Sequence, residues 1–416
     1  MLKMPNKVFL LVIITIIERE CCMKIDQKKN HSVNWLLLIG IMLIATNLRS
    51  PLTGISPLLS AISQELNLSL AISGMLTTIP LIAFAIFSLV APYTERRFGI
   101  ERVLFFAIIL LAAGISIRSM GSQLTLFGGT LLIGVAIAHC NVLVPSLVKR
   151  DFSQQSGLVT GLYSVTMNVF GALASGLSLP LATKWGLGWE GALRIWLITC
   201  LLALIFWLPQ LSKKTIVKVV PLATAKNSLF GSALAWKISL LMGIQSLIFY
   251  TIVTWLPQIV ASKGLGIEKA GSMLAVLQII LVPVTFIVSV IAGRMKDQVL
   301  LAWIGTLTLL IGILSLWLSS NLVVSYLAMA LLALGCGSCF SLAMMFFSLR
   351  TRDGAEASQL SGMAQALGYL LASFGPIVLG SLFDYSNSWN SSFILLTTLA
   401  LIQIYVGTSA SKEGFV

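Results

Sequence analysis

Residues 35–59 read WLLLIGIMLIATNLRSPLTGISPLL, an apolar run interrupted in Asn47-Leu48-Arg49-Ser50-Pro51 by one charge, Arg49. About 20 apolar residues are enough for a helix to cross a bilayer. A charge at bilayer depth costs roughly 2.5 kcal/mol or more, so a guanidinium there usually faces a polar cavity and serves a ligand. The other reading is that Arg49 snorkels to an interface or neutralises a structural partner. Apolar helix precedes it and no acid follows before Glu65, which favours the cavity.

Composition settles the class. Hydrophobic residues make up 57% of the chain and charged residues 10%, and the mean hydropathy is +0.98, so this is an integral membrane protein. The net charge of +13 would suggest nucleic acid in a soluble protein, but here the charges lie in the connections. Twelve apolar cores follow, at 35–59, 72–91, 103–119, 125–147, 158–182, 192–209, 238–260, 271–292, 300–318, 322–348, 359–382 and 391–408. From Met23 onward, seventeen Lys and Arg residues fall in the termini and even-numbered connections, against Arg118, Lys184, Lys263 and Lys269 in the odd-numbered ones. This positive-inside bias places both termini in the cytoplasm.

The first 33 residues form a cytoplasmic segment. Its run Val8 to Ile17 is too short to span, and no small-residue cleavage site follows it. Glu18-Arg19-Glu20 can be encoded by a purine-rich, ribosome-binding-like sequence two codons before Met23. Residues 1–22 are therefore expected to lie ahead of the true start, and the intact peptide in native protein would refute this.

The chain repeats itself. Met75-Leu76 recurs as Met273-Leu274 and Arg96 as Arg294, at an offset of 198. Gly134 matches Gly335, Lys149 matches Arg350, and Gly161-Leu162 matches Gly362-Met363, at an offset of 201. Six helices separate the copies, so the halves run parallel about an axis along the membrane normal. The expected units are a six-helix bundle at 34–210, a cytoplasmic linker at 211–235, a second bundle at 236–409 and a tail at 410–416.

Intramembrane polarity indicates which helices line a cavity. Spans three, six, nine and twelve read as apolar apart from hydroxyls and end positions, as lipid-facing helices should. Spans one, four, five, seven and eleven carry Asn47, Arg49, His139, Asn141, Asn168, Gln245 and Gln365, which need partners in a medium without water. Helical spacing aligns Arg49, Thr53 and Ser56; Ser164, Asn168 and Ser175; Ser246, Tyr250 and Thr254; and Ser361, Gln365 and Tyr369. The hydroxyl-bearing members also read as helix-packing glue. Asn141 lies four residues before Pro145, whose missing donor frees the Asn141 carbonyl. His139 is a candidate proton relay, though a lone histidine on an apolar helix also reads as neutral packing.

The acids all lie at span ends or in connections, which leaves Arg49 as the cavity's fixed charge. The solute should therefore be anionic or carry an electron-rich group such as nitro or carboxylate, because a guanidinium binds such groups bidentately. Cys336 and Cys339 on a glycine-rich span read as packing, and no phosphate-binding loop argues for ATP-driven transport. No catalytic or metal-ligating constellation and no cofactor is expected. The partners are a small-molecule solute and the lipid bilayer, with no nucleic acid and no obligate protein partner.

Loop 92–102, Pro-Tyr-Thr-Glu-Arg-Arg-Phe-Gly-Ile-Glu-Arg, resembles the signature that major facilitator proteins carry between helices two and three, with Glu95 in place of its acid and Gly99 of its second glycine. Asn47 to Pro51, Asn141 to Pro145 with Lys149-Arg150-Asp151-Phe152, Gln245-Ser246 to Trp255-Leu256-Pro257, and Leu360 to Gln365 are together similar to the cyanate/nitroimidazole transporter branch. The resemblance covers about 34–408. It implies an all-α membrane protein of twelve helices in two parallel six-helix halves, working as a carrier in a bacterial inner membrane. It also implies gating roles in the connections for Glu95, Arg96, Arg97, Gly99, Arg150, Asp151, Arg352 and Asp353. The expected mechanism is alternating access, with Arg49 holding the solute and Asn47, Asn141, Asn168, Gln245, Tyr250, Gln365 and Tyr369 donating or accepting around it. Efflux of drugs or metabolites by the same fold, a non-transporting sensor and a channel remain alternatives.

Overall fold

In a computed structural model, residues 35–68, 70–212, 229–265 and 268–416 are described. The amino-terminal extension and most of the expected linker lie outside them. Twelve helices among the described residues are long and apolar enough to cross a membrane. They are span one (Trp35–Leu58), two (Met75–Phe98), three (Ile100–Arg118), four (Gln123–Asp151), five (Ser153–Thr183), six (Gly188–Ser212), seven (Ala233–Leu256), eight (Lys269–Ala292), nine (Val299–Leu318), ten (Leu322–Leu349), eleven (Gly354–Phe383) and twelve (Asn390–Ala410). Each of the twelve expected cores falls on one of these helices. Helix is the solution the composition demands, because lipid offers backbone amides no partners and the i to i+4 ladder satisfies them internally.

Leu37–Val416 form one compact unit. Spans three and four, and spans nine and ten, pack as close antiparallel pairs. Four meets two, ten meets eight, and seven lies against eleven and twelve. The first six spans meet the last six mainly where eleven packs on two and four, and where eight packs on five. One apolar core, containing Ile248, Leu281, Leu309, Leu332 and Phe393, holds the last six together. Another, containing Ile55, Leu58, Leu126, Leu181 and Trp189, holds the first six at the end away from the basic connections.

Span one is broken. Its helix Trp35–Thr53 stops short of a 3-10 turn at Ser56–Leu58, and a short helix Leu59–Glu65 follows. The break leaves the Pro51 carbonyl in need of a donor, and Arg118 Nη1 supplies one at 2.6 Å. This corrects the placement of Arg118 in an outer loop: its side chain is 1% exposed. A second correction concerns span twelve, expected to be apolar. It carries Gln403, fully buried, with Nε2 donating to the Leu241 carbonyl of span seven at 2.9 Å. The outermost helices thus also turn polar groups inward to tie each set of six together.

Candidate solute-binding site

Arg49 sits half-buried near the middle of the bundle. Its alkyl stem lies against Gly171 of span five, where an added Cβ would come within 3.2 Å of the Arg49 Cβ. A larger residue there would press the stem aside by a few tenths of an ångström. One turn on, Thr53 Oγ1 donates to the Gly171 carbonyl at 2.7 Å, so spans one and five grip each other on both sides of the arginine. Arg49 Nη1 donates to Asn168 Oδ1, and Asn168 Nδ2 in turn donates to the Ser164 carbonyl at 2.9 Å, which fixes the amide's orientation. From the other set of six, the ring of Phe249 lies 5.9 Å from the guanidinium carbon. Among the described residues Arg49 has no acidic partner; its hydrogen-bond partner is neutral.

Aromatic rings frame this charge. Phe249 and Tyr250 meet edge-on at 5.4 Å, and Tyr369 of span eleven packs on Phe84 of span two at 4.8 Å. Tyr369 also lies within electrostatic range of Tyr250 and Arg49. Arg49, Asn168, Tyr250 and Tyr369 are therefore brought together, with Phe84 and Phe249 completing the wall.

Toward the basic connections the site has a floor. Gln365 Nε2 donates to the Asn141 carbonyl and to Ser361 Oγ, each at 2.8 Å. The first of these acceptors is the carbonyl that Pro145 frees on span four, so a proline in one set of six creates the acceptor for an amide in the other. Tyr163 donates to Asn141 Oδ1 at 3.3 Å. Asn141 and Gln365 are thus committed to each other rather than to Arg49.

Three expected members lie elsewhere. Asn47 Nδ2 donates to the Leu43 carbonyl at 2.8 Å, and its Oδ1 accepts from Thr199 at 2.7 Å and Cys200 at 3.0 Å of span six. Two positions before Arg49 is about 200° around the helix, so Asn47 faces away from the cavity. Gln245 is buried in the second set, accepting from Ser246 at 3.2 Å beside Cys336. His139 Nδ1 lies 2.9 Å from the Val135 carbonyl of its own helix, with the ring 6.3 Å from that of Phe87. Among the described residues no relay from it to Arg49 is built.

The four polar stripes share one gradient. Ser164 and Asn168 are buried and Ser175 exposed; Ser246 is buried, Tyr250 half-buried and Thr254 exposed. Arg49 and Thr53 are half-buried and Ser56 exposed, while Ser361 and Gln365 are buried and Tyr369 half-buried. The cavity therefore opens away from the basic connections and is closed toward them. An apolar surface cleft of about 370 Å³ near Leu177, Trp185 and Trp196 lies apart from it.

The closure has a definite chemistry. Ser146 Oγ of span four donates to the Gly354 carbonyl of span eleven at 2.7 Å and lies 3.2 Å from Glu95 Oε1, beside which Ser358 also sits. Lys149 Nζ donates to the Ser348 carbonyl of span ten at 2.7 Å. Spans five and eight touch through Gly157, where a Cβ would lie 2.6 Å from the Ser289 carbonyl oxygen. Of the other expected gating residues, Arg150 pairs with Glu101 at 2.7 Å and Asp151 at 2.8 Å within the first set. Asp353 caps the helix of span eleven through the Glu356 amide at 2.8 Å, and Arg352 lies 3.8 Å from Glu356. Arg96 lies within electrostatic range of Glu95, and Arg97 packs its guanidinium 5.4 Å from the Phe98 ring. Gly99 holds the turn between spans two and three at φ 86°, a conformation that side chains resist.

Known proteins share this family and fold. The sequence profile of the Major Facilitator Superfamily matches residues 37–376. The chain is 38% identical to an uncharacterized transporter, YycB, of Bacillus subtilis (strain 168), over 91% of this chain and 94% of that one. It is 38% identical to a 2-nitroimidazole transporter of Escherichia coli (strain K12), over 91% and 96% of the two chains. It is 24% identical to the cyanate transport protein CynX of the same organism, over 85% and 91%. The fold matches the proton:xylose symporter XylE with a TM-score of 0.71 at 16% identity, covering 92% of this chain and 95% of that one. With twelve spans around a one-sided cavity, a profile matched over most of its length and relatives aligned nearly end to end, the chain belongs to the major facilitator superfamily and is a multi-pass secondary transporter, not an enzyme.

Proposed function

We propose that the protein carries a small, planar, anionic or electron-rich solute, cyanate- or nitroimidazole-like, across a bacterial inner membrane by alternating access. The observation that carries this reading is Arg49, a mid-span guanidinium whose one hydrogen-bond acceptor among the described residues is the neutral Asn168 amide. Its remaining N–H groups suit a bidentate anion, and the rings of Phe249, Tyr250, Phe84 and Tyr369 suit a flat, delocalised one. Relatives named for cyanate and 2-nitroimidazole support the same class. The basic connections face the cytoplasm by the positive-inside bias, so the cavity opens outward, and the six-helix sets 34–210 and 236–409 rock about Arg49.

Thermal stability of the purified protein with cyanate, nitrite, benzoate and 2-nitroimidazole, repeated with Arg49→Ala, tests this. A ligand at 100 times its Kd stabilises by about 2.7 kcal/mol, and that gain should vanish in the variant. Stabilisation that survives Arg49→Ala, or none from any of the four, refutes the role.

A further inference from the structure

We infer that the charge of Arg49 locks the unloaded carrier in one orientation, so that the solute moves by obligate exchange rather than by net uniport. This rests on the reading that Arg49 holds the solute's negative group.

A guanidinium stays protonated in proteins, so the charge cannot be relieved by losing a proton. All the acids of the chain lie at span ends or in connections, and among the described residues none pairs with Arg49; Glu101, for one, pairs with Arg150. Nothing neutral around Arg49 can supply the missing charge: the Asn168 amide and the Phe249 ring are dipole and quadrupole. The site tolerates this because it is half-buried and open on one side, where water screens it.

Alternating access removes that screening. Before the seams Gly157–Ser289 and Ser146–Gly354 can part, the exposed ends of three stripes, Ser56, Ser175 and Thr254, must close over Arg49. An empty site would then bury an uncompensated charge, whereas a bound monoanion makes the occluded site neutral. The loaded carrier crosses and the empty one does not. Each anion delivered must therefore be replaced by another before the carrier returns, and the exchange of like charges moves no net charge.

The lock can be read without any solute. Spin labels at Gln154 and Lys296 report the basic ends of spans five and eight, and labels at Lys184 and Lys269 report the opposite ends; all four positions are exposed. In lipid nanodiscs without anion, electron–electron distance measurements should show one population, short at the first pair and long at the second. Arg49→Gln should raise the opposite population roughly 70-fold, the equivalent of ~2.5 kcal/mol at about 1.4 kcal/mol per factor of ten. Arg49→Lys keeps a charge that can be shed as a proton on burial, so it should hold the lock at about pH 6 and loosen it as the pH rises. Millimolar cyanate should release native protein but leave Arg49→Gln unmoved. In proteoliposomes, preloading with cyanate should speed uptake of labelled cyanate at least tenfold over empty vesicles.

Identical distance distributions in native protein and Arg49→Gln overturn the lock, and so does uptake into empty vesicles as fast as into loaded ones. If cyanate neither binds nor moves while Arg49→Gln still releases the carrier, the solute class is wrong and the lock stands.

Discussion

The two seams that close the basic side occupy equivalent places in the repeat, yet they are built from different chemistry. Gly362 of span eleven meets the Ser88 carbonyl of span two, and Gly161 of span five meets Phe286 of span eight, each pair related to the other by the offsets 201 and 198. One turn nearer the basic face the seams diverge. Where one has Glu95 beside Ser358, the other has Gly293 in backbone contact with Gly157. A glycine–glycine contact has no side chain to adjust, so it is sterically absolute. A carboxylate among hydroxyls is graded, since it can exchange donors as the helices separate. One seam sets the distance of closest approach, and the other sets how firmly closure is held.

The largest effect should come from breaking the steric seam. In Gly157→Val the new Cβ would lie 2.6 Å from the Ser289 carbonyl oxygen, and backbone cannot step aside as a side-chain tip would. Overpacking of this kind costs ~1–3 kcal/mol, so closure should weaken by about fivefold to 150-fold, with a longer distance between labels at Gln154 and Lys296 and a matching loss of uptake. Normal uptake at an unchanged distance would show that spans five and eight do not set the approach.

Glu95→Gln should act more mildly, because it keeps the shape and removes only the charge. A hydrogen bond to an ionised carboxylate is worth ~1.5–3 kcal/mol against ~0.5–1.5 for a neutral one, so closure should weaken by up to roughly fivefold, most in alkaline buffer where the carboxyl is ionised. Labels at Phe98 and Ala355 read this seam, and no change there would make the carboxylate incidental. The smallest effect belongs to Lys149→Met, which removes a cation from the carboxyl end of span ten, where Ser348 accepts from it at 2.7 Å. A charge there contributes ~0.3–1 kcal/mol and is screened by salt. The native protein's closure should therefore loosen slightly as salt rises, while the variant's should not.

Part of the site was legible in the sequence because helical periodicity is local. The stripes Arg49–Thr53–Ser56 and Ser164–Asn168–Ser175 needed only residue spacing, and the structure brings them together, Arg49 on Asn168 and Thr53 on the Gly171 carbonyl. The proline-freed Asn141 carbonyl was equally legible, though not its acceptance of Gln365 from the other set of six. Asn47 was misplaced because a polar residue on a cavity-lining helix can equally face a neighbour, and here it satisfies Thr199 and Cys200. Arg118 and Gln403 were misread for the converse reason: each sits on an outer helix, but turns inward to a carbonyl that only a break or a close crossing exposes. Phe84 in the wall and Tyr163 at the floor carried no signal, since an aromatic in an apolar run resembles any core residue.

By itself the sequence determined the membrane class, the twelve spans, the repeat and the one mid-span charge, because hydropathy, charge position and periodicity act through neighbours along the chain. Only the tertiary structure decided which side of the cavity is closed, that Asn168 rather than Asn47 meets Arg49, and that glycine backbone rather than side chains limits one seam. Those outcomes depend on which helix faces which at what distance, a long-range property that no local pattern encodes.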